Sequence, residues 1–357
     1  GVICTGGLGP TRDDLTKPVI AELFGRRLLT DDALLSDLRA RFAAIGRDMA
    51  PSNRTQAEVP EGALVLPNAH GTAPGLLLER EDGAFAVMLP GVPREMRSIF
   101  EAALAPWLLD RWPRRHGSIR HRVIRTTGIA ESELADRLEP LFARVSSLGI
   151  AFLPSPVGVD VRLTSWGTLS EDQAAREFDR VEDEVRRVAG RWVYATGEDD
   201  LVAALAGRLR RRGWSIAVAE SCTGGLIAKR LTDRAGASDF VLGGVVAYSN
   251  AAKTDLLGVD AALLEAHGAV SELVAGAMAG GALDRFGAHC ALAVTGIAGP
   301  GGGTAEKPVG TVCIAARAEG AERLRTLRLP GDRDEVRERS AQAAIALLWE
   351  LIGEEDR

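Results

Sequence analysis

The chain is poor in the residues that build metal centres and disulfide frameworks: it has four cysteines and five histidines in 357 residues. Cys4, Cys222, Cys290 and Cys313 are scattered, with no C-x-x-C spacing and no paired histidine motif. That argues against a zinc site or a disulfide scaffold and fits a reducing cytosol. No apolar run reaches roughly 18 uncharged residues, so no spanning helix is expected. No signal peptide is expected ahead of the fold, and the cytoplasm is the expected compartment. An excess of positive charge is also missing: the formal net charge is −6. This argues against a nucleic-acid coat or a polybasic membrane binder. The expected partners are therefore small molecules, not nucleic acid or membrane, with a homodimer as the expected assembly.

What is present is apolar and rhythmic. Hydrophobic residues make up 46% of the chain, enough for two or three buried cores. The reading is α/β: two different α/β domains, 1–110 and 200–357, joined by a small α+β connector domain at 118–195. In the first, Leu15 to Phe24 and Asp31 to Ile45 read as helices, Phe85 to Leu89 as a strand, and Pro93 to Leu109 as a helix opened by Pro93 and Glu95. Gly1 to Gly7 reads as the end of a buried parallel strand, which needs neighbours to cover it. Further residues of that domain are therefore expected upstream. The basic, proline-broken segment Arg111 to Gly117 reads as a linker. Residues 118–195 read as strand–helix–strand–strand–helix–strand, without clustered chemistry. The last domain restarts with helix Leu201–Arg211 and strand Ile216–Ala219. It continues with helix Gly224–Arg234, strand Phe240–Ala247, helix Glu272–Phe286 and three further strands, and closes with helix Arg333–Ile352.

Chemistry concentrates at strand ends in residues 219–311, where an α/β fold collects its site. In Ala219-Glu220-Ser221-Cys222-Thr223-Gly224-Gly225, Ser221 follows a strand and precedes a glycine-opened helix. Its hydroxyl would face free backbone N–H groups able to stabilise an oxyanion; an N-cap serine is the competing reading. Serine needs a base. His267 and His289 lie in unpromising loops, whereas Lys253 follows a strand end and the turn Tyr248-Ser249-Asn250. A buried lysine of lowered pKa can serve, against the usual fate of a solvated surface lysine. The run Thr295-Gly296-Ile297-Ala298-Gly299-Pro300, continued by Gly301-Gly302-Gly303-Thr304, suits close backbone approach to an anion, with a flexible turn as the alternative. It lacks the Gly-Lys-Ser/Thr end of a P-loop, which disfavours triphosphate hydrolysis. Arg333 and Arg337, one turn apart, would close around a phosphate or else line a solvated helix face.

Residues 200–352 closely resemble the C-terminal CinA domain, the nicotinamide mononucleotide deamidase family. The resemblance rests on Ala219–Gly225, Tyr248–Lys253, His267-Gly268-Ala269-Val270-Ser271, Thr295–Pro300, Glu306–Thr311 and Gly331-Asp332-Arg333. It implies a serine–lysine amidohydrolase that converts nicotinamide mononucleotide to nicotinate mononucleotide and ammonia without a cofactor. By that resemblance Ser221 is the nucleophile, Lys253 the base and Tyr248 a helper in proton handling. Thr295, Gly296 and Arg333 would hold the nucleotide, with Thr223, Gly224, Asn250, Gly302 and Arg337 completing the expected substrate-binding set.

At the other end, Thr5-Gly6-Gly7-Leu8-Gly9-Pro10-Thr11-Arg12-Asp13-Asp14 joins a strand to a helix through a glycine turn with two carboxylates. Gly6, Gly7 and Gly9 would admit a phosphate, and Asp14 could hold a divalent metal against it; alternatively Asp13 or Asp14 caps the helix. Pro90 and Gly91 would line the same crevice. This half resembles the molybdopterin-binding fold of the MoaB/MogA type, through Asn68 to Gly75 and Leu89 to Met96. The resemblance implies a metal-dependent ADP-ribose pyrophosphatase as the alternative activity. A non-catalytic, competence-related scaffold is the third reading.

Overall fold

The computed structural model describes residues 1–11, 13–112 and 118–354. Residues 113–117 of the expected linker, and Arg12 of the first glycine motif, lie outside the described residues. The chain divides into two compact units, Gly1–Arg115 and His116–Arg357.

In the first unit, strands Val2–Thr5, Phe85–Leu89, Gly75–Glu79 and Leu64–Leu66 form a mixed sheet in that spatial order. Val2–Thr5 runs parallel to Phe85–Leu89, and the other pairings are antiparallel. The expected helices appear as Thr16–Leu23 and Asp32–Ala44, the latter capped by Asp31 through the Leu34 N–H. Pro93–Ile99 continues through a π-helical segment, Phe100–Leu104, into Ala105–Arg111. Val2–Thr5 is bonded to one strand of this sheet, and Val2 and Ile3 are about half exposed (49% and 47%).

The second unit contains two modules. Strands Arg120–Thr126, Gly149–Ser155, Gly158–Ser165 and Val193–Thr196 form an antiparallel sheet. Helices Glu131–Phe142 and Glu171–Ala189 pack on it around Leu134, Leu138, Val161, Leu163 and Val181. Ser170 and Gln173 form a reciprocal capping box that fixes the start of the longer helix.

The second module has a five-stranded sheet. Val241–Val246, Ile216–Glu220 and Cys290–Gly296 are parallel, and Thr311–Ala318 and Ala321–Arg328 continue it antiparallel. Strand alternation gives its two faces different textures. Ile216, Val218, Leu292, Val294 and Ile314 pack beneath helices Leu201–Arg212, Leu226–Thr232 and Arg333–Glu354. Ala217, Ala219, Ala291, Ala293 and Ala315 face the other way. That alanine face lets helix Glu272–Phe286, with Ala275, Met278 and Ala279, lie close to the strands. The two modules meet inside this unit, where Gln342 Nε2 donates to Thr127 Oγ1 (3.1 Å). The carboxyl ends of the three parallel strands, at Glu220, Val246 and Gly296, therefore open together.

Candidate functional site

Those strand ends position a hydroxyl and an amine. Ser221 directly follows Ile216–Glu220, and its own N–H is bonded to Val294 O (2.9 Å). Lys253 follows that turn, as expected, and lies near the start of helix Asn250–Leu257, capped by Ser249 through the Ala252 N–H. That placement carries its side chain inward, where it is 1% exposed. Lys253 Nζ lies 3.1 Å from Ser221 Oγ and 2.9 Å from Ala247 O. Burial lowers its pKa below the usual lysine range. A neutral lysine keeps one lone pair and two N–H donors. It can therefore donate to Ala247 O while accepting the serine proton.

Ser221 is not a helix cap. The following helix, Leu226–Thr232, begins at Gly225, and its N–H groups point at a residue that the sequence reading passed over. The buried Glu220 carboxylate accepts from Gly225 N (3.0 Å), Ile227 N (3.1 Å) and Ala228 N (2.8 Å). The expectation that free helix N–H groups face the serine is thereby corrected, because Glu220 takes them. Its signal in sequence was a carboxylate just ahead of a glycine-opened helix, where negative charge is favoured.

A cavity of ≈ 180 Å³ surrounds Ser221 Oγ, lined also by Cys222, Tyr248, Asn250, Lys253, Ala269, Val270, Thr295, Gly296, Ala298 and Arg333. Thr295 Oγ1 donates to Ala269 O (2.8 Å), fixing one wall. Lys307 Nζ donates to Val270 O (2.8 Å) and His267 O (3.0 Å), tying the glycine-rich loop to the same wall. Arg333 crosses the mouth, donating to Tyr248 OH (3.0 Å) and to Gly299 O. Tyr248 itself is 61% exposed. Burial pushes the Cys222 thiol up to about 12, so it stays protonated beside the serine.

Several expected binding residues fall elsewhere. Arg337 donates to Thr223 O (2.9 Å) behind the serine turn and pairs with Asp334; it does not line the cavity, so the anticipated Arg333–Arg337 phosphate clamp does not form. The Thr223 side chain is fully buried, with an unpartnered hydroxyl, and Gly224 backs onto Arg337. Thr223, Gly224 and Gly302 are absent from the cavity lining, whereas Asn250, Thr295 and Gly296 belong to it.

In the first unit, Gly6 and Gly7 adopt positive φ, and Gly6 N bonds Leu89 O (2.8 Å). Gly91 packs against Gly6 so closely that a Cβ there would approach its Cα to 3.3 Å. The two loops are thus neighbours, with Pro90 buried between strand and loop. Asp14, however, turns back on its own loop, accepting from Thr11 N (2.8 Å) and Thr11 Oγ1, and these bonds lower its pKa. Asp13 is exposed. Among the described residues no three His, Cys, Asp or Glu side chains converge, so Asp14 does not belong to such a cluster.

Comparison with known proteins agrees over the whole chain. Residues 198–352 match the family model of the CinA C-terminal domain, 1–110 that of a probable molybdopterin binding domain, and 121–195 that of the damage-inducible protein CinA KH domain. A CinA-like protein of Gemmatimonas aurantiaca is 49% identical over 355 residues, spanning 99% of this chain and 83% of the relative. The chain belongs to the CinA family. A putative competence-damage inducible protein of Symbiobacterium thermophilum is 47% identical, covering 97% of this chain and 83% of its own length. The crystal structure of competence/damage inducible protein CihA from Agrobacterium tumefaciens is 45% identical over 43% of this CinA-family chain and 97% of its own, with a TM-score of 0.41. The segment read as a connector without clustered chemistry is the one that matches the KH model. No helix among the described residues is long and apolar enough to cross a membrane.

Proposed function

We propose that residues 200–352 form a nicotinamide mononucleotide amidase working through Ser221 and Lys253. The observation that carries this reading is the 3.1 Å approach of a buried, pKa-lowered lysine amine to a serine hydroxyl that lines a small cavity. Lys253 takes the Ser221 proton as Oγ attacks the amide carbon, then returns it to the departing nitrogen, releasing ammonia. Water, deprotonated by the same amine, attacks the resulting ester, and Lys253 returns the proton to Ser221 Oγ as the acyl–oxygen bond breaks, leaving the carboxylic acid, which ionises. Ser221 N–H is spent on Val294 O, so the oxyanion must find other donors. Arg333 at the mouth supplies the cation for a phosphate, and the exposed Tyr248 ring offers a face to the pyridine.

Ammonia release tests the reading. Ser221→Ala should lose at least ~10³-fold in kcat with substrate affinity retained. Lys253→Arg should fall comparably despite keeping the charge, because guanidinium does not surrender its proton at working pH. Near-normal turnover in either variant removes the serine–lysine assignment.

A further inference from the structure

One wall of the Ser221 cavity is neither helix nor strand. His267 ends helix Ala261–His267, and Ser271 caps helix Glu272–Phe286. Between them, Ala269 and Val270 line the cavity. Irregular backbone has to find partners outside a regular ladder, and here every carbonyl from 267 to 270 accepts from a side chain. Ser271 Oγ donates to Gly268 O (3.2 Å), and Thr295 Oγ1 donates to Ala269 O (2.8 Å). Lys307 supplies the two outer bonds, to His267 O (3.0 Å) and Val270 O (2.8 Å).

Lys307 belongs to the loop 297–310, between strands Cys290–Gly296 and Thr311–Ala318. Its backbone is anchored there, since Thr304 N donates to Lys307 O (2.9 Å) and Lys307 N donates to Thr304 Oγ1 (3.0 Å). The same loop brings Ala298 to the cavity and Gly299 O to Arg333. Among the described residues no carboxylate pairs with Lys307, so its charge is directed at the two carbonyls. Charge-assisted bonds of this kind are stronger than neutral ones. Ser221 and Lys253 are held differently, by strand Ile216–Glu220 and helix Asn250–Leu257, and Lys307 bonds to neither element.

We infer that Lys307 is a positioning residue for substrate binding: its ammonium clamps the 267–270 wall to the glycine-rich loop and so sets the width of the cavity that receives the substrate's ring. This inference rests on the amidase reading. The clamp governs how the substrate is held and leaves the reacting pair in place.

Steady-state ammonia release from nicotinamide mononucleotide by the full chain tests it. Lys307→Met keeps the length of the side chain and removes its donors. KM should rise at least ~10-fold while kcat stays within about 3-fold, the signature of lost binding with the chemistry intact. Lys307→Arg should recover most of the KM, because a guanidinium has donors enough for both carbonyls. Thr304→Ala, which frees the Lys307 N–H in an exposed turn, should raise KM by about 3-fold and keeps the proposal testable if Lys307→Met fails to fold. An unchanged KM in folded Lys307→Met or in Thr304→Ala would overturn the clamp. So would equal falls in kcat and kcat/KM, or a Lys307→Arg variant no better than Lys307→Met. Absence of ammonia release by the parent chain overturns the amidase reading and the binding role with it, whereas parent turnover with an unmoved KM in the variants overturns the clamp alone.

Discussion

The Glu220 carboxylate accepts the Ala228 N–H at 2.8 Å, eight residues ahead of it in the chain. With the bonds from Gly225 and Ile227, this closes the turn that presents Ser221. Glu220 is 1% exposed, so its removal leaves three backbone donors without their acceptor in a buried place. Glu220→Ala should therefore cost about 3 kcal/mol of stability. It should also lower kcat for ammonia release, because the loosened turn no longer holds Oγ against Lys253. Urea unfolding and steady-state turnover check this together. A variant as stable and active as the parent would leave Glu220 a spectator.

Why Glu220 escaped notice in the sequence is instructive. Its partners are backbone groups five to eight residues away, and a carboxylate beside a serine invites no such reading until the turn is seen. Ser221 was legible because an apolar strand runs straight into glycines. Lys253 was read as a buried lysine just past a turn, and the helix that carries it went unread. Its helix has only eight residues, too few for apolar periodicity to separate it from a loop. Helix Ala261–His267 was missed for the same reason. The long helix Arg333–Glu354 was plain, yet spacing along it misled: Arg333 and Arg337 share a face, but one reaches the cavity mouth and the other the back of the Ser221 turn. At the amino end, Val2–Thr5 was legible as a strand because its apolar residues run straight into Gly6 and Gly7.

The two arginines give a contrast that sequence spacing alone would not predict. Arg333→Ala removes a cation from the cavity mouth and releases Tyr248 OH and Gly299 O. It should raise KM by roughly 10-fold or more, in line with loss of a charged hydrogen bond to substrate. Tyr248→Phe, which loses only the bond to Arg333, should have a smaller effect. Arg337→Ala should leave KM nearly unchanged and instead lower stability by about 1–2 kcal/mol, since its bond to Thr223 O braces the serine turn from behind. If Arg337→Ala raises KM as much as Arg333→Ala, the phosphate contact has been assigned to the wrong residue.

Lys253 links activity and stability to pH with a definite sign. Burial lowers its folded pKa from the ordinary 10.5. Between the lowered value and 10.5 the unfolded chain binds a proton that the folded chain does not. Stability therefore rises with pH through that window, and below it the full penalty persists. Each unit of lowering corresponds to about 1.4 kcal/mol. Lys253→Met keeps the apolar stem but cannot titrate, so its stability should lack this rise. Cys222 and Cys290, both pushed up to about 12 by burial, act in the opposite direction at alkaline pH. Cys290 is common to both proteins and cancels in the difference; Cys222 feels the Lys253 charge, and losing that charge raises its pKa further in Lys253→Met, which adds to the parent's relative gain with pH. The parent should gain on Lys253→Met in urea midpoint as pH increases from about 7 towards 10. The parent's kcat/KM should climb over the lowered pKa as the amine becomes neutral. Parallel urea midpoints, or a kcat/KM that falls as pH rises through neutrality, would mean that Lys253 is not held neutral by its surroundings.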